Sequence, residues 1–112
     1  MHFNKIDDTN KSGTEIFYSQ LETNDKWLQW ENFASRMLYE IKSLRKHGNY
    51  YAVKSDRQTR FKQLWILSNT KPLSVLVEYG FMSNEEDLKA AKNGNEEIAQ
   101  GMINGIIKFT GM

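Results

Sequence analysis

The sequence predicts an α/β domain: a mostly parallel, twisted sheet with helices on its faces. Three observations carry that expectation. The run 73–77 (Leu-Ser-Val-Leu-Val) is short, apolar and β-branched, and it is bounded by the only proline, Pro72, and by Gly80, as a strand buried on both faces would be. A long stretch with helical periodicity precedes it. Helical segments follow it almost at once, so strand and helix alternate along the chain.

Taken in order, Met1 to Asn10 is polar and reads as a chain that has just left a strand. Lys11-Ser12-Gly13 is a turn signal, and Thr14-Glu15-Ile16-Phe17-Tyr18-Ser19 is a β-rich run with Ile16 and Tyr18 on one face and Phe17 on the other. Asn24 or Asp25 can cap the next helix, whose apolar positions Trp27, Trp30, Ala34, Met37, Leu38, Ile41 and Leu44 form one stripe. Arg45, Lys46 and His47 then suit the negative end of that helix, and Gly48 is placed to close it in a left-handed conformation. Residues 49–60 read as a polar surface loop pinned by Tyr50 and Tyr51. Leu64-Trp65-Ile66-Leu67 is either a short strand or a helical turn, since runs this short are ambiguous. After the strand at 73–77, Ser83-Asn84-Glu85-Glu86 fits a capping box, with Ser83 as cap and Glu86 returning the bond. The helix it starts is interrupted near Asn93-Gly94-Asn95 and resumes with the stripe Ile98, Met102, Ile103, Ile106 and Phe109.

With 112 residues, 39% hydrophobic and 12% aromatic, the chain has the makings of one small packed core. Fifteen basic against fourteen acidic residues leave a net charge of +1, which gives no electrostatic reason to expect nucleic acid or an anionic membrane as partner. No segment approaches the ~20 apolar residues of a membrane span, and the first residues lack the apolar core of a signal peptide. The absence of cysteine excludes disulfides, thiolate zinc sites and cysteine nucleophiles. Short motifs for nucleotide binding, zincins and serine hydrolysis are absent as well.

Glu78 breaks the apolar pattern at the C-terminal end of the 73–77 strand. Desolvating a lone carboxylate is costly, so Glu78 either turns to solvent or sits in the crevice that open α/β sheets form outside the carboxyl ends of their strands. His47 reads as a helix C-terminal cation, and His2, taken by itself, as a tail histidine.

The segment Pro72-Leu-Ser-Val-Leu-Val-Glu78-Tyr-Gly80-Phe81-Met-Ser83-Asn84, preceded by Leu67-Ser-Asn-Thr-Lys71, resembles the C-terminal part of the zinc-dependent N-acetylmuramoyl-L-alanine amidases, cell-wall hydrolases of bacteria and their phages. His2-Phe3-Asn4 and Gly13-Thr14-Glu15-Ile16-Phe17-Tyr18 match the family's His-x-Asn and Gly-x-Glu segments in order and approximate spacing. The resemblance implies that His2 is the last of the zinc ligands and Glu78 the catalytic carboxylate, with Zn2+ as cofactor and peptidoglycan as substrate. The implied reaction is hydrolysis, at the cell wall, of the amide between N-acetylmuramic acid and L-alanine of the stem peptide. The family's first two ligands lie upstream of the His-x-Asn, so the expectation is that residues 1–112 form the C-terminal portion of an amidase catalytic domain. Two classes follow from that: an amidase portion, or a non-catalytic truncated or split fragment that binds wall or a partner. In either case the missing N-terminal half or self-association would complete the sheet. If the chain alone holds zinc, Asp7, Asp8 or Glu15 beside His2 would have to complete the set.

Overall fold

Thr14, Ile16 and Tyr18 alternate with Glu15 and Phe17, and this two-residue period makes β2 (Gly13–Tyr18) a strand with two chemically different faces. In the computed structural model, which describes residues 2–4, 9–20, 26–45, 48–59, 64, 67, 74–93 and 95–111, β2 lies inside a four-stranded sheet. Its other strands are β1 (His2–Asn4), β3 (Tyr50–Ser55) and β4 (Leu76–Phe81), and the spatial order is β1-β4-β2-β3. The β1–β4 and β2–β3 ladders are parallel and the inner β2–β4 ladder is antiparallel, so the sheet is mostly parallel as the sequence predicts.

A parallel pair needs a crossover, and α1 (Lys26–Leu44) supplies it between β2 and β3. Its residues Trp30, Ala34, Met37 and Ile41 recur at helical spacing and pack on Ile16, Tyr18, Val77 and Tyr79, with Ile98 closing the cluster. Ile98 belongs to α3 (Asn95–Thr110), which follows α2 (Glu85–Asn93). The helices α1 and α3 meet at unusually close range: a Cβ on Gly101 would lie 3.0 Å from Ile41 Cα, and one on Gly105 2.7 Å from Met37 Cα. Only glycine leaves room for two backbones at that distance.

The structure corrects several sequence expectations. The strand expected at 73–77 runs instead over Leu76–Phe81, so Glu78 is its third residue of six rather than its end. Gly80 does not stop the strand; it sits in it because a Cβ there would come within 3.0 Å of the Asp87 carboxylate. Residues 2–4 are themselves a strand, not a chain leaving one. The expected loop at 49–60 is β3 followed by a 3-10 turn at Asp56–Gln58. Tyr50, Tyr51 and Val53 favour extended backbone, and the charges of Lys54, Asp56 and Arg57 disguised the alternation. The α2 cap is Asn84, whose Oδ1 accepts the Asp87 N–H at 3.0 Å, and not Ser83, whose buried Oγ has no hydrogen-bond partner. On α3 the buried stripe is Ile98, Gly101, Gly105, with Met102 and Phe109 beside it, while Ile103 and Ile106 are exposed. The glycine contact with α1 fixes the helix in that rotation.

The Asn24 or Asp25 cap, Lys46, His47, most of 61–66 and the Lys71-Pro72-Leu73 start lie outside the described residues. Of the 64–67 run, Leu67 is buried and its N–H donates to the Leu64 carbonyl at 3.0 Å, as in a helical turn. Gly48 has φ +132°, and a side chain there would run into the Tyr51 hydroxyl, so the positive φ predicted for it holds.

Candidate functional site

Across the middle of the sheet three predicted or resembling positions fall into one row. His2 is the register partner of Glu78 on the parallel ladder, and Glu15 is its partner on the antiparallel one. The β1–β4 register shifts between His2 and Phe3, where Gly80 rather than Tyr79 is the next partner. The pairing therefore slips by one residue on β4 just beyond Glu78, as it does at a β-bulge.

Directly opposed residues of an antiparallel pair have Cβ atoms roughly 4.5–5.5 Å apart, where two carboxylates repel. Lys54, from the next strand, offsets that repulsion: its Nζ lies 2.7 Å from Glu15 Oε2, with Glu15 nearly buried and Lys54 half-buried. Burial pulls the Lys54 ammonium toward a lower pKa, but the Glu15 carboxylate and the Tyr50 hydroxyl outweigh it, and the net shift is upward. Tyr50 itself carries a second ammonium, Lys11 Nζ, 3.9 Å from its ring centroid. This face of the sheet is thus charged and aromatic, opposite the apolar face that α1 covers.

Behind the row lies a second polar cluster that fixes the strands. Arg45 follows the last residue of α1, turns inward and pairs through Nη2 with Asp87 Oδ1, both side chains being almost fully buried. Its Nη1 donates to Thr14 Oγ1 at 2.9 Å and to the Tyr79 carbonyl, which also accepts the Thr14 hydroxyl at 2.7 Å. Asp87 Oδ2 accepts the Phe81 N–H at 2.8 Å and the Gly13 N–H at 3.1 Å. One ion pair thereby ties the end of α1, the start of β2, the end of β4 and the first turn of α2. The two strands it clamps are those that carry Glu15 and Glu78.

Residues 1–108 match the sequence profile of the N-acetylmuramoyl-L-alanine amidases. The chain belongs to this family. Among solved structures, the amidase-family chain is similar to the CwlD amidase of Clostridioides difficile, solved in complex with the GerS lipoprotein, at 23% identity and a TM-score of 0.78, over 97% of this chain and 51% of that one. It is similar to the N-acetylmuramoyl-L-alanine amidase AmiC2 of Nostoc punctiforme at 18% identity and a TM-score of 0.77, over 98% and 55%. The catalytic domain of the CD27L endolysin, which targets Clostridia difficile, matches at 29% identity and a TM-score of 0.68, over 96% and 51%. The chain spans about half the length of these solved relatives. No match is found among curated proteins.

Zinc is the metal this amidase family implies, and the residues in hand can be tested against it. Among the described residues no three His, Asp or Glu side chains converge as a metal site would require. Glu15, two strands from His2 in the same row, already faces the Lys54 ammonium at 2.7 Å. The described residues of this amidase chain do not form a zinc centre by themselves. Asp7 and Asp8 lie outside the described residues, and for His2 the structure gives the backbone register.

Sequence reading singled out His2 and Glu78, and the sheet brings their backbones side by side. It missed Lys54, Arg45 and Asp87. Lys54 was hidden in an apparent loop, and Arg45 passed for a helix-end cation. Asp87 had one available signal: it stands at the third helical position after the Asn84 cap, where a carboxylate turned inward can also meet strand-end N–H groups.

Proposed function

We propose that this chain is the C-terminal portion of the catalytic domain of a peptidoglycan amidase, with Glu78 as general base and His2 as a zinc ligand. The observation that carries the reading is the row His2, Glu78, Glu15 across three adjacent strands in a chain of this family. The substrate is the amide between N-acetylmuramic acid and L-alanine, and the reaction takes place at the cell wall. Glu78 takes the proton of the attacking water and delivers it to the departing alanine nitrogen, so that the amine leaves neutral. His2 would contribute one imidazole to a bound zinc, whose other ligands would come from outside the described residues. Such a zinc would supply polarisation of the carbonyl and a water of lowered pKa. The Arg45–Asp87 clamp holds β2 and β4 in register, and so keeps Glu78 where a proton can reach it.

In a protein carrying this chain together with the remainder of the domain, Glu78→Gln should preserve folding and most bound zinc while lowering turnover on purified peptidoglycan on the order of 10²–10⁴-fold. Near-full activity of that variant would remove Glu78 from the mechanism. A second reading, a fragment that binds wall or a partner without turnover, draws on the half-length match to the solved relatives. Zinc content by atomic spectroscopy and stem-peptide release by the 112-residue chain separate the two: a monomer with about one zinc per chain that cleaves the amide excludes the fragment reading.

A further inference from the structure

On the charged face of the sheet, Lys11 occupies a prepared position. The turn that carries it, 9–12, is held at three points: Asn84 Nδ2 donates to the Thr9 carbonyl at 3.0 Å, Asn49 Nδ2 donates to the Asn10 carbonyl at 2.8 Å, and Asn49 Oδ1 accepts the Ser12 N–H at 3.0 Å. The Lys11 Nζ is thereby set 3.9 Å from the centroid of Tyr50 and 5.4 Å from that of Phe81, two rings in edge contact at 6.3 Å. Rings hold an ammonium without neutralising it. The neighbouring Lys54 differs, since its charge is engaged by Glu15 at 2.7 Å. Among the described residues no carboxylate forms an ion pair with Lys11, and its side chain is only half-buried.

The topology places this cation beside the row. Gly13, two residues from Lys11, is the partner of Tyr50, and Glu15, two further along the same strand, is the partner of Glu78. Phe81 stands three residues beyond Glu78 on β4, at the same end of the sheet as Lys11. A positive, pre-ordered rim thus lies beyond Glu78 at one end of the sheet.

We propose that Lys11, seated on Tyr50 and Phe81, is a carboxylate-binding subsite that docks an acidic residue of the stem peptide. The assignment to the stem peptide rests on the amidase reading; carboxylate binding by Lys11 does not. Preorganisation is what makes it specific, because the lysine turn is already fixed and little ordering remains to be done on binding.

The test uses the 15N-labelled chain and two probes, N-acetylmuramoyl-L-alanyl-D-glutamate and its bis-carboxamide, titrated while the backbone amides of Lys11, Tyr50 and Phe81 are followed by NMR. A charge-assisted contact of ordinary strength makes the acidic probe bind roughly tenfold tighter than the carboxamide. Lys11→Met should erase that difference, Lys11→Arg should keep most of it, and added salt should reduce it. Equal affinity for the two probes in the wild type, an unchanged preference in Lys11→Met, or no binding of either overturns the proposal. L-alanyl-D-glutamate without the sugar separates the two readings. If it binds with the same dependence on Lys11 while Glu78→Gln retains turnover, the subsite stands and the amidase assignment of Glu78 falls. If Glu78→Gln is inactive and the carboxamide binds as well as the acid, the subsite falls alone.

Discussion

The two ion pairs that flank β2 use the same chemistry to opposite ends. Arg45–Asp87 is sealed behind the sheet, with side chains 1% and 0% exposed, and its further partners are two backbone amides, a carbonyl and the Thr14 hydroxyl. Lys54–Glu15 is open, its lysine side chain 30% exposed, and it stands beside a second carboxylate rather than among backbone amides. A buried pair of this kind specifies an arrangement, because each partner is costly to leave alone. A half-open pair, its carboxylate buried and its ammonium reaching solvent, also sets the charge seen by whatever approaches it. The difference divides the molecule into a clamp that fixes the strands and a surface left for chemistry.

The sharpest way to break that contrast is Asp87→Ala, which strands a guanidinium in the interior and should cost about 3–5 kcal/mol of unfolding free energy by denaturant titration. Pairing Arg45→Met with Asp87→Leu should recover only part of the loss, since no charge is then left buried but the Gly13 and Phe81 N–H groups lose their acceptor. A cost for Asp87→Ala no greater than that of a surface substitution would show the clamp to be ornamental. Next in size is Gly105→Ala, where the added methyl meets the Met37 backbone at 2.7 Å. Overpacking of this kind costs roughly 1–3 kcal/mol and exceeds the ~1 kcal/mol gain in helix propensity. Lys54→Met leaves the nearly buried Glu15 facing Glu78 without its cation and should cost about 1–3 kcal/mol in the same titration, short of the Asp87→Ala loss.

The smallest effect is confined to alkaline pH. Burial, and then the hydrogen bond to Glu31, push the Tyr18 hydroxyl up to about 12 from an ordinary 10.0. The folded state thus holds this proton more tightly than the unfolded chain. The associated stability is complete below pH 10 and is lost as pH rises through 12. Tyr18→Phe should flatten the decline in thermal midpoint across that window, and a parallel decline in both proteins would assign it to other groups.

Much of the fold was legible wherever one force acted alone. The α1 stripe through Trp30, Ala34, Met37 and Ile41 and the alternation of β2 come straight from period and hydrophobicity. Reading failed where two demands met in one residue. Gly80 looks like a terminator but is a space for Asp87, and Ile103 and Ile106 look like core until the Gly101 and Gly105 contacts turn them outward. Motif singled out His2 and Glu78, and the sheet sets their backbones in register. Lys54, Arg45 and Asp87 were harder to read because most of their partners lie 31 to 74 positions away in sequence.

The order β1-β4-β2-β3 also has a consequence in time. β2 and β3 are joined through α1, whereas β4, the last described strand in sequence, lies inserted between β1 and β2. Until residues 76–81 have been made, no ladder joins β1 to β2 and Glu78 has neither of its register partners. A chain stalled short of that insertion has a helix-packed half-sheet and no row at all. Joining β1 to β2 and setting Glu78 between His2 and Glu15 are therefore the same insertion.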